Sequence, residues 1–421
     1  MIDFVYITIH CLLMLWVLKS YYTLKISKIH KNIFLYSLVW KMIFTAALSY
    51  LFKYYFDYIT DPQAVFAQAK KVADHIVLHP DKTIEMLFFD KAPNIDYSSQ
   101  NRTFFLIKAV AILNFFTNSN YWLNSYWFSL ICFLCTWQLA VVVHKHHRPV
   151  FPAYAISFLF VPSVVFWSSG LLKETLAFAA LCVLVRQLIL FLQGRISLWP
   201  ALLAAYVLFK IKFYVLGAFL LVALPSVVVF LAQKKRALHF KTKAVLFLGS
   251  LAFIFLIFNT FSNFYFHATL PDLVYYNHVM MLESNNVDYV FSELKEGQMT
   301  SFYPYILEAL WQGLFKPLPY DADSLLLAFA ALENTLCLVL GCYLFYCIVL
   351  KKMSFSAWQL AVLLYVLMCA VCFGFSAPNW GTLARYKIVY SPFLYTILLW
   401  TVIQNATIKR IFARFNPFKL T

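Results

Sequence analysis

Apolar residues in this chain fall in long runs, and the polar positions between them are grouped rather than alternating. Crossing the roughly 30 Å hydrocarbon core of a bilayer takes about 17 to 25 helical residues. Eleven runs approach or exceed that length, near 2–18, 34–53, 124–143, 152–168, 174–192, 198–210, 213–232, 244–262, 325–350, 355–375 and 388–406. The pattern predicts an all-α polytopic integral membrane protein of about 11 transmembrane helices, some broken or half-length, forming a single transmembrane domain over 1–421. The first run, "IDFVYITIHCLLMLWVL", has no positive n-region and no A-x-A-like cleavage site. It is therefore read as a retained span and not as a secretory signal.

Two segments between the runs have a helical period of their own. In "TDPQAVFAQAKKVADHI" the residues Val65, Phe66, Ala69, Val72, Ala73 and Ile76 form one stripe, with Lys70, Lys71 and Asp74 away from it. The second is "TFFLIKAVAILNFF", Thr103 to Phe116. Both predict amphipathic helices on the membrane surface or against the bundle, in a first outer loop at 54–104; a second large outer loop covers 263–324.

Composition supports the same class. Of 421 residues 63% are hydrophobic and 12% charged, with mean hydropathy +0.74, where a soluble domain carries roughly 25% charged residues. No part of the chain is left for a large separate soluble domain. The net charge of +16 resolves into six basic, acid-free segments: "KSYYTLKISKIHKN", "HKHHRP", "QGRIS", "QKKRALHFKTK", "KKMS" and the tail "NATIKRIFARFNPFKLT". All fall on one side if the N-terminus is outside and the C-terminus cytoplasmic, as the positive-inside rule asks. The charge is thus an orientation signal, with the bilayer as partner and no nucleic acid. "HKHHR", His144 to Arg148, fits a grip on anionic headgroups better than a metal cluster. The nine cysteines lie in or at the edges of apolar runs, and the pairs Cys132/Cys135 and Cys369/Cys372 have no His or acidic companions, so packing is expected of them rather than zinc or redox chemistry.

Acidic residues follow the opposite rule. Apart from Asp3, Glu174 and Glu333, every Asp and Glu falls in the two outer loops, which makes the outer face the place for chemistry. An ionisable group within a span costs roughly 2.5 to 3.5 kcal/mol on insertion scales, so its position asks for a reason. Lys173 and Glu174 begin the fifth span, Lys210 and Lys212 form the turn between two short spans, and Arg385 and Lys387 begin the eleventh. Lys316 reaches the same end through "LFKPLPYDADS".

In "NWGTLARYK" Asn379 or Thr382 can cap an inward-running helix, Gly381 lets another group approach the backbone, and the first-turn N–H groups offer an anion site. Arg385 adds a planar fork suited to bidentate phosphate contact and Lys387 a mobile positive charge. On an ideal helix their side chains point about 200° apart, so both meet one phosphate only in an irregular turn. The other reading of the pair is that both cations snorkel to headgroups. "VPSVVFWSSGLLKETLAF" repeats the device, with Ser168 and Ser169 as caps, Gly170 opening the backbone, and Lys173 and Glu174 following.

Transfer of a group from a lipid phosphate needs a base near the acceptor hydroxyl, and carboxylates usually supply it. The candidates are Asp57, Asp61 and Glu174, with Asp321 and Asp323 as oxygen ligands for a divalent cation, Mg or Mn; no other cofactor is indicated. Asp61, before Pro62, is equally placed to be a helix cap, and Asp321 and Asp323 to cap the helix that follows them. Glu333, about two and a half turns inside the ninth span, must face the bundle interior or a cavity.

The acidic residue opening "D-P-x-x-x-F-x-x-A" just after an early span, followed by a surface helix and spans that end on the outer side, resembles the C-type glycosyltransferase superfamily of polytopic enzymes that use polyprenyl-phosphate sugars. The blocks "PSVVFWSSGLLKE", "LFKPLPYDADSLLLAFAALEN" and "NWGTLARYKIVYSPF" also resemble bacterial membrane proteins associated with surface polysaccharides. The resemblance implies that Asp61 activates the acceptor or positions a metal, and that Arg385 with Lys173 or Lys210 holds the lipid phosphate. Where the superfamily often has a second acid beside the first, this chain has Pro62, with Asp57 four residues upstream. The implied function is transfer of a sugar or oligosaccharide from a polyprenyl-phosphate-linked donor to a glycan or lipid-linked acceptor on the outer face of a bacterial inner membrane. Polymerisation of lipid-linked repeat units is the near alternative. A lipid-linked glycan transporter is the alternative of another class, to which Arg186 in mid-span points; a purely structural subunit has no need of the outer charges.

Overall fold

The computed structural model describes residues 2–25, 31–56, 60–88, 101–195, 197–235, 239–283, 287–291, 294–351, 353, 355–377 and 379–405. Among them every regular element is helical. In chain order these are α1 (Ile2–Lys25), α2 (Lys31–Tyr50), α3 (Asp61–Leu78), α4 (Thr83–Phe88), α5 (Asn101–Thr117), α6 (Tyr121–His146), α7 (Phe151–Leu159), α8 (Pro162–Trp167) and α9 (Lys173–Leu192). They continue with α10 (Leu198–Lys235), α11 (Phe240–Phe266), α12 (Leu270–Leu282), α13 (Ile306–Phe315), α14 (Leu325–Val349), α15 (Ala357–Ser376), α16 (Trp380–Tyr386) and α17 (Ser391–Ile403).

Eight helices among the described residues are long and apolar enough to cross a bilayer, and a ninth crossing is available to α16 and α17, bent by 69° at their junction. Where described, the eleven expected runs are largely helical, yet three are arranged differently. The run at 152–168 is broken: Val161 is extended ahead of Pro162, which disfavours α geometry in the residue before it, leaving α7 and α8 with nine and six residues. The runs at 198–210 and 213–232 are one 38-residue element with a break at Lys212, where φ is −144° and ψ 69°. Unbroken, that element would be about 57 Å long, nearly twice the hydrocarbon thickness.

The main core joins α2, α6, α7, α9, α10, α15 and α17 around Trp137, Phe178, Phe373 and Tyr390. Cys132, Cys182 and Cys369 are packed within it, and no cysteine is disulfide-bonded among the described residues. Helices α1 and α11 bury only 6% of their apolar windows inside the protein, as lipid-facing helices do. A second cluster packs α3 on α5: Val65, Ala69, Val72 and Ala73 lie against Phe104, Ile107, Val110 and Ala111. The stripe legible in the sequence is thus the buried face, and Lys70, Lys71 and Asp74 are exposed.

In the second large loop α13 lies on α15 at unusually close range. A Cβ added to Gly313 would sit 2.0 Å from Ala370 O, and one on Gly374 1.9 Å from Ala309 O. Ala309/Gly313 and Ala370/Gly374 form two small-xxx-small pairs, the spacing that lets helix backbones touch in lipid. Gly374→Ala is expected to force the helices apart and lower stability by about 1 to 3 kcal/mol, as overpacking does. Gly249→Ala on the same protein, at a position with open space around it, should be neutral or stabilising by up to about 1 kcal/mol. Thermal unfolding of both in detergent checks this.

Candidate functional site

Asp61 is placed by the end of α2. There the chain widens into a π-helical turn, Leu51–Tyr55. The Phe52 carbonyl accepts from Thr60 Oγ1 at 2.9 Å and the Lys53 carbonyl from Gln63 Nε2 at 3.1 Å. The Thr60 N–H donates to Gln63 Oε1 at 2.9 Å. Thr60 is therefore the N-cap of α3, and the cap role that the sequence offered Asp61 is already filled. The Asp61 side chain stays 64% exposed in the first turn. Asp57 lies outside the described residues.

Lys173 and Glu174 are placed by α8. Glu333 Oε1 accepts from the Ser163 N–H at 2.9 Å, putting a carboxylate at the N-terminus of this six-residue helix. Lys41 Nζ donates to the Ser168 carbonyl at 2.6 Å, putting an ammonium at its C-terminus. Each charge meets the end of the helix dipole that it stabilises, and each satisfies backbone groups the helix leaves open. This contact satisfies Oε1 of Glu333, while its Oε2 is buried without a hydrogen-bond partner among the described residues. Ser168 and Ser169 also differ from expectation: their hydroxyls donate back to Val164 and Val165 carbonyls, and the N-cap of α9 is Leu172. Gly170 turns the chain at φ +66°, its N–H donating to Ser129 Oγ at 2.8 Å; an added Cβ would sit 2.7 Å from Leu48 Cδ2. Glu174 then falls in the first turn of α9.

Arg385 arrives on α16. Asn379 caps that helix, accepting from the Thr382 N–H at 2.9 Å, and Asp288 Oδ2 accepts from the Trp380 N–H at 2.5 Å. The atom nearest a Cβ built on Gly381 is Asn379 Oδ1 of the same turn, so no other group approaches there. Arg385 and Lys387 diverge. Lys387 Nζ runs into the interior, donating to the Leu314 carbonyl at 3.1 Å and Asn334 Oδ1 at 3.2 Å. The two cations therefore do not share a ligand.

Arg385 instead joins Asp61, Lys173, Glu174 and Lys212 in one cleft of about 60 Å³, whose wall also includes Arg102, Tyr214 and Tyr386. Arg385 Nη1 is 3.0 Å from Asp61 Oδ2, and its Nε is 3.6 Å from Glu174 Oε1. Lys212 Nζ is 3.0 Å from Glu174 Oε1 and 3.6 Å from the centre of the Tyr386 ring. Lys173 Nζ donates to Thr103 Oγ1 at 2.9 Å, and the Arg102 guanidinium lies 4.8 Å from the Phe213 ring centre. Four cations and two carboxylates line the cleft, a formal charge of +2. Glu174 is 3% exposed and its Oε1 faces both Lys212 and Arg385, so it holds cations in place; Asp61 is the carboxylate open to a substrate. Lys210, two residues before the break in α10, is half-buried and outside the cleft wall.

A second polar group surrounds the start of α16. Lys316 Nζ donates to Asp321 at 2.8 and 2.9 Å and to the Tyr320 hydroxyl at 2.8 Å. Partial burial pulls the Lys316 pKa down, but Asp321 and Tyr320 raise it further, and the net shift is upward. Asp321 also accepts the Leu318 N–H at 2.7 Å, while Asp323 is exposed. A cation at Asp321 would have to displace an ammonium. Burial raises the pKa of Asp288, with help from the charges of Asp323 and Asp321 and against the Trp380 N–H. Among the described residues no three His, Cys, Asp or Glu side chains are grouped as a metal site.

Sequence reading missed Arg102, Tyr214 and Tyr386 in the cleft and Lys41 beneath it. Lys41 had a visible signal, a lysine in the middle of a span; Arg102 had none beyond its place before an apolar helix. The chain matches no known protein family, no curated protein and no solved structure.

The two carboxylates are expected to respond differently to neutralisation. Glu174→Gln leaves Lys212 and Arg385 without their buried partner and should cost about 3 to 5 kcal/mol of stability. Asp61→Asn breaks an exposed pair and should cost less than about 1 kcal/mol. Unfolding in detergent against denaturant measures both, and equal costs would remove Glu174 from its place as the organising charge.

Proposed function

We propose that the protein is a membrane glycosyltransferase that moves a sugar or oligosaccharide from a polyprenyl-phosphate-linked donor to an acceptor on the outer face, as its resemblance to the C-type superfamily implies. The observation that carries the reading is the pairing of an exposed carboxylate, Asp61, with a cleft of four cations. In the reaction the acceptor hydroxyl attacks the anomeric carbon and its proton passes to Asp61. The bond from that carbon to the phosphate oxygen breaks, and its electron pair leaves on the polyprenyl phosphate. Arg385, Lys173 and Arg102 meet the charge that develops there, the kind of preorganised electrostatic help that outweighs most other catalytic effects. Lys212 contributes by holding Glu174, and through it Arg385. On this reading the acceptor is recognised by the loops 54–104 and 263–324, and the tail of the donor lies in the bilayer.

Polymerisation of lipid-linked repeat units would use the same step with a longer donor. Transport is less well supported, because transporters bind near the bilayer midplane, whereas the cleft sits where α3, α9 and α16 all begin or end.

Asp61→Asn is expected to fold, insert and bind donor, yet lose transfer by about 10²- to 10⁴-fold, the usual worth of general-base catalysis. Transfer from a polyprenyl-phosphate sugar, measured beside donor binding in one purified sample, checks it; wild-type rates would end the assignment to Asp61. Arg385→Lys keeps the charge and loses the fork, so donor binding or turnover should fall clearly. Reporter fusions at Lys235 and Asn286 should report opposite sides of the membrane, with Asn286 outside. The same side for both would remove the outer-face placement of the cleft.

A further inference from the structure

Among the described residues the Arg385 guanidinium makes one hydrogen bond, from Nη1 to Asp61, while its Nε is buried without a hydrogen-bond partner. One side of its fork meets Asp61 at 3.0 Å, and its Nε side faces Glu174 at 3.6 Å. A phosphate that takes Nη1 as part of a bidentate grip must therefore displace Asp61, and one that takes Nε must come between Arg385 and Glu174. The two are not equally displaceable. Glu174 is buried and also bound by Lys212 at 3.0 Å, and pulling it away would strand two cations. Asp61 is largely exposed, and its departure exposes it only to water. The backbone beneath Asp61 does not depend on the ion pair, because Thr60 and Gln63 hold the start of α3 to the end of α2.

We propose that the Arg385–Asp61 ion pair is a latch that an entering phosphate opens, so that the anionic donor binds first and its binding uncovers the carboxylate that receives the acceptor's proton. This rests on the transferase reading and adds an order to it. While the latch is closed the Oδ2 atom of Asp61 is taken up by the Arg385 guanidinium. When the phosphate takes over the fork, Asp61 loses that cation and stands beside the bound group. Donor sugar is thereby kept from reacting before it is seated, and an acceptor that arrives first finds Asp61 still turned to Arg385. The recognised chemistry is a phosphate group, carried either by a polyprenyl lipid or by a free anion.

The latch makes Asp61 a competitor of the ligand, and this is measurable without turnover. The full-length protein in detergent is titrated with polyprenyl phosphate in mixed micelles and, separately, with inorganic pyrophosphate. Asp61→Asn should bind the lipid phosphate about two- to fivefold more tightly than wild type, the equivalent of freeing one exposed ion pair. In an Arg385→Gln background the same Asn substitution should produce no such gain, since the competition runs through Arg385 and is not general repulsion. A comparable gain with pyrophosphate assigns the latch to phosphate as such, and a gain with the lipid alone assigns it to the lipid-linked group. Unchanged or weaker binding by Asp61→Asn, or an equal gain in the Arg385→Gln background, overturns the proposal. The transfer assay is read separately: tighter binding with transfer intact keeps the latch and removes Asp61 as the base, while unchanged binding with transfer lost keeps the base and removes the latch.

Discussion

A carboxylate sealed from water needs compensating charge, and Glu174 has two cations. Lys212 and Arg385 come from the break in α10 and the last turn of α16, while Glu174 itself begins α9. None of the three groups is tolerable alone in an apolar bundle, because the desolvation of a lone buried ion outweighs any packing gain. Together they are, and their meeting fixes how three segments far apart in the chain must dock. The break at Lys212 is part of the same arrangement: the residue whose backbone leaves the helix is the one whose ammonium meets the Glu174 carboxylate. The aromatic face of Tyr386 completes the seal over the ammonium.

The surrounding structure keeps that docking rigid by spending other charges on backbone. Lys41 and Glu333 hold the two ends of α8, so the irregular stretch from Ser168 to Leu172 is presented in one conformation. Lys387 is spent on the Leu314 carbonyl and on Asn334, which in turn donates to the Pro317 carbonyl at 2.9 Å. That ties α16 to the end of α13, whose body is already locked on α15 by the glycine contacts. Among the described residues Lys41 and Lys387 thus complete helix ends, whereas Lys212 and Arg385 face the cleft.

Much of this was legible in the sequence, for reasons that can be named. Hydrophobic runs and the α3 stripe follow directly from burial, which needs only composition and period to be recognised. Lys173, Glu174, Lys212 and Arg385 stood out because an ionisable residue in an apolar run has to be compensated somewhere. What could not be read was the partner of each. Lys387 and Arg385 look alike in "NWGTLARYK", yet Arg385 in the last turn of α16 reaches the cleft while Lys387, just past its end, reaches a carbonyl. Asp61 looked like a cap because Asp caps helices well, and the preceding threonine takes that role only by way of a π-turn whose free carbonyls no local pattern announces. Lys210 and Lys212 were indistinguishable until the position of the break was known. Arg102 comes into the cleft through the packing of α5 on α3 and α10, a long-range arrangement with no local trace.

The central claim is that the cleft enclosed by α3, α9, α10 and α16 receives a phosphate on Arg385. Its most direct test is a cryo-EM structure of the protein in lipid nanodiscs with a polyprenyl phosphate added. The account predicts phosphate density within hydrogen-bonding distance of the Arg385 guanidinium, with Glu174 still bound to Lys212 and Asp61 released from the fork. Phosphate density confined to the lipid-facing perimeter, with the Arg385–Asp61 pair intact in the same particles, would contradict it.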